Sequence, residues 1–259
     1  MRVDVREGSW FHLTECFGPV LGVMRATSLA HAIWLQNGPA YGLTGGLHSL
    51  DPKEIDAWLA GVQVGNAYVN RHITGAIVQR QPFGGWKRSS IGPGHKPGGP
   101  SHLHGYGVWT EQIVDIRRAE SSYERAWNEH FSRENDPTGL ACEGNLLRYR
   151  PLEEVVLVAG VEAVEVRELA RVASAVTGTR LVIVPDETEA IRIVRSALAP
   201  HFTRIRAPFG MSAEGLGQAF SHGVTVDRAP LTSNGMVELP HWLLEQSISR
   251  TMHRYGRLL

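Results

Sequence analysis

The feature that most constrains the fold is a glycine- and proline-rich stretch from Val62 to Pro100. It opens with a strand-like run, Val62 to Val69, and four prolines follow within the next 31 residues, namely Pro82, Pro93, Pro97 and Pro100. Proline lacks a backbone N–H and glycine favours unusual dihedral angles, so this part can be neither continuous helix nor sheet. Because Phe83 and Trp86 lie in its middle, we expect a packed binding loop rather than disorder.

The composition favours a protein that acts on small molecules or other chains. The 259 residues contain 26 Lys+Arg and 26 Asp+Glu, so no net charge attracts the chain to nucleic acid or anionic lipid. No apolar stretch is long enough for a signal peptide or a membrane span, and the expected location is the cytoplasm. The two cysteines, Cys16 and Cys142, are too few for a disulfide framework and suit a reducing compartment.

The first 70 residues alternate between strand and helix patterns. We expect a strand at Val20–Met24, then a helix that Ser28 caps and Asn37-Gly38-Pro39 ends. A glycine-punctuated strand at Tyr41–His48 precedes a helix with Asp51 as its N-cap, and the strand Val62–Val69 follows. This order predicts a parallel sheet covered by helices, with ligands near the carboxyl ends of its strands, where the loop begins.

A bend at Gly18-Pro19 leaves Glu15 and Phe17 at the lip of the first strand. A carboxylate and an aromatic face side by side could bind a ribose hydroxyl and stack on a flat ring. A surface glutamate beside a core phenylalanine is the ordinary alternative, and the residues alone favour it.

Four motifs follow one another along the chain, namely Glu15-Cys16-Phe17-Gly18-Pro19-Val20, Tyr41-Gly42-Leu43-Thr44-Gly45-Gly46, Gly65-Asn66-Ala67-Tyr68-Val69-Asn70 and Pro82-Phe83-Gly84-Gly85. In this order and spacing they resemble the C-terminal part of the catalytic domain of an NAD-dependent aldehyde dehydrogenase. Asn70-Arg71-His72-Ile73-Thr74-Gly75-Ala76 with Lys96-Pro97-Gly98-Gly99-Pro100 is similar to one branch, the L-glutamate γ-semialdehyde (Δ1-pyrroline-5-carboxylate) dehydrogenases of proline catabolism. That branch includes the bifunctional proline utilization A enzymes.

The resemblance implies roles for five residues. Glu15 would hydrogen-bond the nicotinamide ribose of NAD, and Phe17 would support the nicotinamide. Gly75 and Ala76 would offer backbone amides to the α-carboxylate of the aldehyde substrate, and Phe83 would pack on its aliphatic part. These roles come from the family and are not worked out from spacing.

The family's cysteine nucleophile lies upstream of the first motif, and neither cysteine of this chain matches it. Cys16 fills the variable position of that motif, and Cys142 lies beyond the aldehyde dehydrogenase portion. We therefore expect no catalytic residue in this truncated chain, which would be inactive by itself. It would work in a homo-oligomer or with a complementing upstream chain. The alternatives are a non-catalytic assembly module and a degenerate fragment.

A second α/β pattern begins at Leu152, after a possible strand at Tyr106–Asp115, an amphipathic helix at Ser121–Arg133 and an extended connector. The expected division is a catalytic-domain part at 1–116, a linker at 117–151 and a small Rossmann-like domain at 152–259. No glycine-rich phosphate loop follows Gly160, so strong NAD binding there is not expected. The tail reads as a helix from Pro240, and Glu245 to Gly256 resembles the end of the long proline utilization A enzymes.

Three further groups of polar residues do not predict functional sites. His102 and His104 have no third ligand nearby, so we expect no metal site. Ser89-Ser90 and His95 lack both an acidic partner and a nucleophile elbow. Three cations of the loop, Lys87, Arg88 and Lys96, are expected to be solvated.

Overall fold

The computed structural model describes residues 1–90, 92, 94–111, 115–196 and 202–252. The chain forms two units, each discontinuous in sequence. The first unit consists of Met1–Ser89, Asp136–Leu146 and Ser247–Leu259, and the second consists of Ser90–Asn135 and Leu147–Gln246. The domain boundaries expected at residues 116 and 151 stay a prediction.

Short helices and strands alternate in the first unit. They are α1 (Trp10–Leu13), α2 (Leu29–Asn37), β1 (Tyr41–Gly42), β2 (Thr44–Leu47), α3 (Pro52–Gly61), β3 (Asn66–Val69) and β4 (Trp86–Lys87). The second unit adds α4 (Ile116–Ala126), β6 (Glu154–Val158), α5 (Val164–Thr177), β7 (Arg180–Val184), α6 (Glu187–Val194), β8 (Thr203–Arg206), α7 (Ala213–Ser221), β9 (Thr225–Asp227) and α8 (Gly235–Glu238). Two long strands, β5 (Glu143–Pro151) and β10 (Leu243–Thr251), each contain a boundary between the units.

Sequence-local capping explains where two helices of the first unit begin. The Ser28 hydroxyl accepts a hydrogen bond from the backbone N–H of His31 at 3.1 Å. The Asp51 carboxylate accepts one from the N–H of Lys53 at 2.8 Å, and Pro52 occupies the first turn. Both caps satisfy donors that a helix start leaves unpaired, as the sequence predicted.

The sheet that carries the candidate site has the strand order β2-β3-β10-β5. Strand β3 runs parallel to β2, with Asn66 opposite Thr44, and parallel to β10, with Asn66 opposite Ser247. All four residues of β3 are buried. A core that includes Ile55, Trp58 and Ile248 lies against this sheet.

The second unit contains a four-stranded parallel sheet in the order β7-β6-β8-β9. Four of the five residues of the inner strand β6 are valine or leucine, as is typical of a parallel sheet that helices cover on both faces. Leu169 and Ala173 of α5 are fully buried in the core of this unit. The predicted α/β class, with a parallel sheet and a Rossmann-like second part, is confirmed.

Several predicted elements are wrong. No strand forms at Val20–Met24, where Gly22 makes only an isolated bridge to Arg2. Within 106–111 and at 115 no strand forms, and a 3-10 helix occupies His102–Tyr106 instead; residues 112–114 lie outside the described part. The aromatic-rich helix is α4, which starts earlier than predicted and continues as a π-helical turn, Trp127–Phe131.

The tail is a strand and not a helix. A 3-10 turn at Leu239–Trp242 leads into β10, which pairs with β3. Leu244, Ile248 and Met252 are four residues apart, a spacing that fits one face of a helix and also one face of a strand. Pairing with a buried neighbour selects the strand. Residues 253–256 of the tail motif lie outside the described residues.

Candidate functional site

The loop after β3 begins with a residue whose backbone is held in the left-handed region. Asn70 has φ +57°, a conformation that asparagine tolerates better than most residues. Its side chain accepts a hydrogen bond from the N–H of Ser49 at 3.0 Å and donates one to the carbonyl of Ser49 at 2.8 Å. The amide thereby ties the exit of β3 to the segment that follows β2.

Gly75 also has a left-handed backbone, with φ +72°. A Cβ built at this position meets no atom within 4 Å, so the loop is open to solvent on that side. The phenol of buried Tyr68 donates a hydrogen bond to the carbonyl of Gly75 at 2.7 Å. Burial raises the pKa of Tyr68, although the charge of Arg71 opposes this shift. The raised pKa keeps the phenol protonated, so it can donate the hydrogen bond. Ala76, like Gly75, is exposed.

A polar group at the end of the loop connects it to β5. The side chain of Gln81 accepts from the N–H of Ile77 at 2.8 Å and donates to Glu143 at 3.1 Å. Glu143 also accepts from Arg71 at 2.7 Å. Burial raises the pKa of Glu143, but its hydrogen bonds and the charges of Arg71 and Arg80 outweigh burial and hold that pKa below its usual range. The carboxylate is therefore ionised.

Phe83 lies where the chain returns to the sheet, and its side chain is partly buried. The carbonyl of the preceding residue, Pro82, accepts a hydrogen bond from the Ser247 hydroxyl at 2.5 Å. The side-chain amide of Asn66 donates to the carbonyl of Gly84 at 3.1 Å, and it donates to that of Leu43 at 2.7 Å. These contacts hold the stretch on both sides of Phe83 against β3 and β10.

The predicted cofactor residues lie on an exposed segment after α1. Glu15 is exposed, and Phe17 is 96% exposed, which excludes the interpretation of Phe17 as a core residue. The structure thus brings Gly75 and Ala76 into one braced loop and leaves Phe83 at its far end. Glu15 and Phe17 lie on a different segment of the first unit.

The sequence profile of the "Aldehyde dehydrogenase family" matches residues 2–110. We call residues 2–110 the aldehyde dehydrogenase segment, after the family whose profile they match. They contain all four motifs on which the resemblance was predicted, and the prediction is confirmed. All five candidate residues fall inside the segment, while Cys142 and Glu143 fall outside it.

Three similar proteins are much longer than this chain. Two proteins named "1-pyrroline-5-carboxylate dehydrogenase", from Bacillus thuringiensis and Bacillus mycoides, are each 42% identical over 100 residues, which are 39% of this chain and 19% of theirs. The solved structure of Proline Utilization A (PutA) from Corynebacterium freiburgense matches 98% of this chain and 27% of its own, with 43% identity and a TM-score of 0.84. The chain therefore spans about a fifth to a quarter of these relatives.

The sequence analysis missed a set of buried charges in the second unit. Arg206, on β8, is fully buried and lies 3.4 Å from Asp227 and 3.2 Å from Glu238. His241 contacts Asp227 at 2.5 Å. The two arginines on either side of Ile205, Arg204 and Arg206, were the available signal, because charged side chains inside a covered parallel sheet need buried partners.

Two of the three loop cations are not solvated as expected. In the first unit Lys87 donates to the carbonyls of Asn37 at 2.5 Å and Pro39 at 3.1 Å. In the second unit Lys96 is 1% exposed, and burial, opposed by the charge of Glu245, lowers its pKa to about 7. Arg88 is exposed, as predicted. The glycine-rich sequence around these lysines does not show which of them are covered.

The described residues contain neither a metal-binding cluster nor a membrane-spanning helix. Among them, no group of three or more His, Cys, Asp and Glu side chains could hold a metal ion. Likewise, none of the helices observed there combines the length and apolar character that crossing a membrane requires.

An open cavity of about 690 Å³ lies between α6 and α7 of the second unit, lined by charges of both signs such as Glu187 and Arg192. Glu187 already accepts from the N–H of Ser212 at 2.7 Å.

Proposed function

We propose that this chain is the C-terminal portion of an L-glutamate γ-semialdehyde dehydrogenase of the long proline utilization A type. The complete enzyme would act in the cytoplasm and oxidise the semialdehyde to L-glutamate with NAD. Support comes from the aldehyde dehydrogenase segment, from relatives whose names state 1-pyrroline-5-carboxylate dehydrogenase, and from the PutA structure that matches 98% of the chain.

The observation that carries the proposal is the braced, open turn at Gly75. A carboxylate binds well to adjacent backbone N–H groups, and a side chain at the turn would obstruct its approach. Gly75 has no side chain, its φ of +72° disfavours one, and Tyr68 holds its carbonyl on the buried side. Gly75 and Ala76 would accordingly receive the α-carboxylate, and Phe83 would line the path of the aliphatic chain.

The residues proposed to hold NAD have suitable chemistry. Glu15 offers a solvent-exposed carboxylate that can accept hydrogen bonds from a ribose diol, and Phe17 offers a free ring face that can support a flat ring. NAD, when bound, supplies the acceptor of the hydride from the substrate. The contribution of this chain would be to bind and orient the two reactants.

We also propose that the chain of 259 residues does not oxidise the aldehyde by itself. Aldehyde oxidation of this kind needs a thiolate nucleophile, and Cys16 and Cys142 do not stand where the resemblance places it. Purified chain should form no NADH from the semialdehyde, and replacing either cysteine by serine should change nothing. Turnover that disappears with one of these substitutions would contradict the proposal.

The carboxylate-binding role proposed for Gly75 and Ala76 is tested by titrating L-glutamate, the expected product, into isotope-labelled protein and following the backbone amide signals by NMR. We expect the largest shifts at Gly75 and Ala76, and at least about tenfold weaker binding in Gly75→Val. Gly8→Val is the matched control, because Gly8 has φ +68° and open space around it in the same unit. Equal weakening by both variants, or wild-type shifts that lie elsewhere, would refute the carboxylate assignment.

The second candidate function is an assembly module that binds another chain. It is favoured by large apolar side chains that are more than half exposed in the first unit, among them Trp10, Phe17, Trp34 and Val78. Size-exclusion chromatography with light scattering tests this candidate. A monodisperse monomer argues against obligate assembly, while a defined oligomer or stable complex supports it.

A further inference from the structure

We infer that Glu143 is a positioning residue for the substrate-carboxylate loop, defined as residues 71–81. The inference rests on the proposed function, since it concerns how the same loop would bind the substrate carboxylate. The geometry of the brace itself is independent of that function. Glu143 belongs to a part of the chain that follows the aldehyde dehydrogenase segment.

The loop is exposed along most of its length, and hydrogen bonds from Tyr68 and Gln81 attach it to its surroundings. Residues 72–79 are all solvent-exposed, and two of them, Gly75 and Gln79, have positive φ angles of +72° and +66°. Such backbone conformations persist only where surrounding contacts determine them. Tyr68 supplies one contact, to the carbonyl of Gly75. The second point of attachment is Gln81 at the end of the loop.

Gln81 closes the loop by local hydrogen bonds. Its backbone N–H donates to the carbonyl of Ile77 at 3.2 Å, and its side-chain oxygen accepts from the N–H of Ile77 at 2.8 Å. The backbone N–H and the carbonyl of Ile77 are thereby both hydrogen-bonded to Gln81. Ile77 directly follows Ala76, which is one of the proposed carboxylate-binding residues. The orientation of the Gln81 amide thus determines where the backbone of Ala76 and Ile77 lies.

Glu143 and Asn145 on β5 determine the orientation of that amide. The Gln81 nitrogen donates to Glu143 at 3.1 Å and to Asn145 at 2.7 Å. Gln81 is 6% exposed and Asn145 is 1% exposed, so water does not replace these bonds freely. Asn145 is held in turn by the Ser249 hydroxyl at 3.2 Å.

Glu143 also occupies the two arginines of the loop. It lies 2.7 Å from Arg71, whose side chain is 14% exposed, and 3.4 Å from Arg80. Without this carboxylate, two guanidinium groups would compete with the backbone amides for an anionic substrate. Glu143 therefore directs the carboxylate to the amides of Gly75 and Ala76 while it holds the loop in shape.

The test is amide hydrogen exchange of the full chain of 259 residues, compared between wild type and Glu143→Gln. We expect exchange of the hydrogen-bonded amides of Ile77, Arg80 and Gln81 to accelerate about tenfold, because charge-assisted bonds are lost at a partly buried site. Exchange in α3 should stay within about twofold. The matched control is Glu189→Gln, which removes a surface carboxylate paired with Arg192 at 2.6 Å in the second unit.

Unchanged exchange at Ile77, Arg80 and Gln81 would overturn the inference, and so would acceleration spread evenly over the first unit. If Glu143→Gln fails to fold, Arg71→Gln provides the second variant, and it should accelerate the same amides because it removes the shortest bond to Glu143. Titration with L-glutamate then distinguishes the two proposals. Wild type without shifts at Gly75 refutes the substrate assignment, whereas the exchange result tests the brace in either case.

Discussion

At the scale of single residues, Gly65 shows how closely backbones approach beside the site. A Cβ at Gly65 would lie 2.1 Å from the carbonyl oxygen of Gly84 and 2.8 Å from the Cα of Gly85. Both neighbours are backbone, so neither can rotate away. The N–H of Gly65 meanwhile donates to Gly42, and its carbonyl accepts from Ser247, each at 2.9 Å.

We therefore expect Gly65→Ala to destabilise the first unit by about 2–3 kcal/mol, the typical cost of forcing extra volume into a packed site. The measurement is the urea midpoint followed by circular dichroism. Gly217→Ala in α7 serves as control, because no atom lies within 4 Å of its Cβ position and alanine favours a helix by about 0.5–1 kcal/mol. Equal midpoints for Gly65→Ala and wild type would show that the two backbones can separate.

At the scale of elements, the start of α3 depends on one side chain. Asp51 caps the helix, and the helix presents Ile55 and Trp58, which are 1% and 2% exposed, to the core of the first unit. A frayed first turn would move Ile55, which lies one turn after the cap. The cap thus links a local hydrogen bond to packing under the sheet.

Asp51→Ala should lower the free energy of unfolding by about 1 kcal/mol, as is usual for the loss of an N-cap carboxylate. Asp56→Ala removes the same charge from an exposed position inside the same helix and should change stability by less than about 0.5 kcal/mol. Both variants are compared by urea unfolding. Equal losses would mean that the charge, and not the cap, stabilises α3.

At the scale of the whole molecule, buried ionisable groups make stability depend on pH. Burial lowers the pKa of His241, and the charge of Arg206 lowers it further, against the opposing Asp227 and Glu238. Burial also lowers the pKa of His104, and the neighbouring histidines His95 and His241 act in the same direction, against Glu245. Both imidazoles are therefore neutral in the fold at pH values where the unfolded chain begins to protonate them.

A histidine with a depressed folded pKa contributes stability that is complete above its unfolded value, about 6.5, and is lost as the pH falls below it. We expect a melting temperature several degrees lower at pH 5.5 than at 7.5, given roughly 2–4 °C per kcal/mol for a protein of this size. Asp227, whose pKa is held far below its usual range, loses its contribution only at pH values below about 4, outside this window.

His241→Gln should reduce the difference in melting temperature between the two pH values, whatever it does to stability at pH 7.5. His222→Gln removes an exposed histidine of α7's C-terminal cap and should leave the difference unchanged. Differential scanning calorimetry of the three proteins at both pH values provides the comparison. A difference that His241→Gln preserves would assign the pH dependence to other groups.

The sequence by itself determined the features that depend on near neighbours. The caps Ser28 and Asp51, the α/β alternation and the collinear aldehyde dehydrogenase motifs are all readable within a few residues, because helix starts and turns are governed by contacts no more than about four residues apart. Gly75 and Ala76 were placed in a loop for the same reason. Their assignment to a carboxylate stays a proposal.

Only the tertiary structure decided which distant groups meet. Glu143 lies 62 residues from Gln81 and the tail lies still further from β3, yet the first braces the loop and the second becomes the strand β10. A four-residue spacing of apolar residues in the tail suited helix and strand equally, and the neighbouring strand settled it by pairing the backbone of β10. Burial of Lys96 and Arg206 follows the same principle, because the cost and partners of a buried charge depend on segments that the local sequence does not contain.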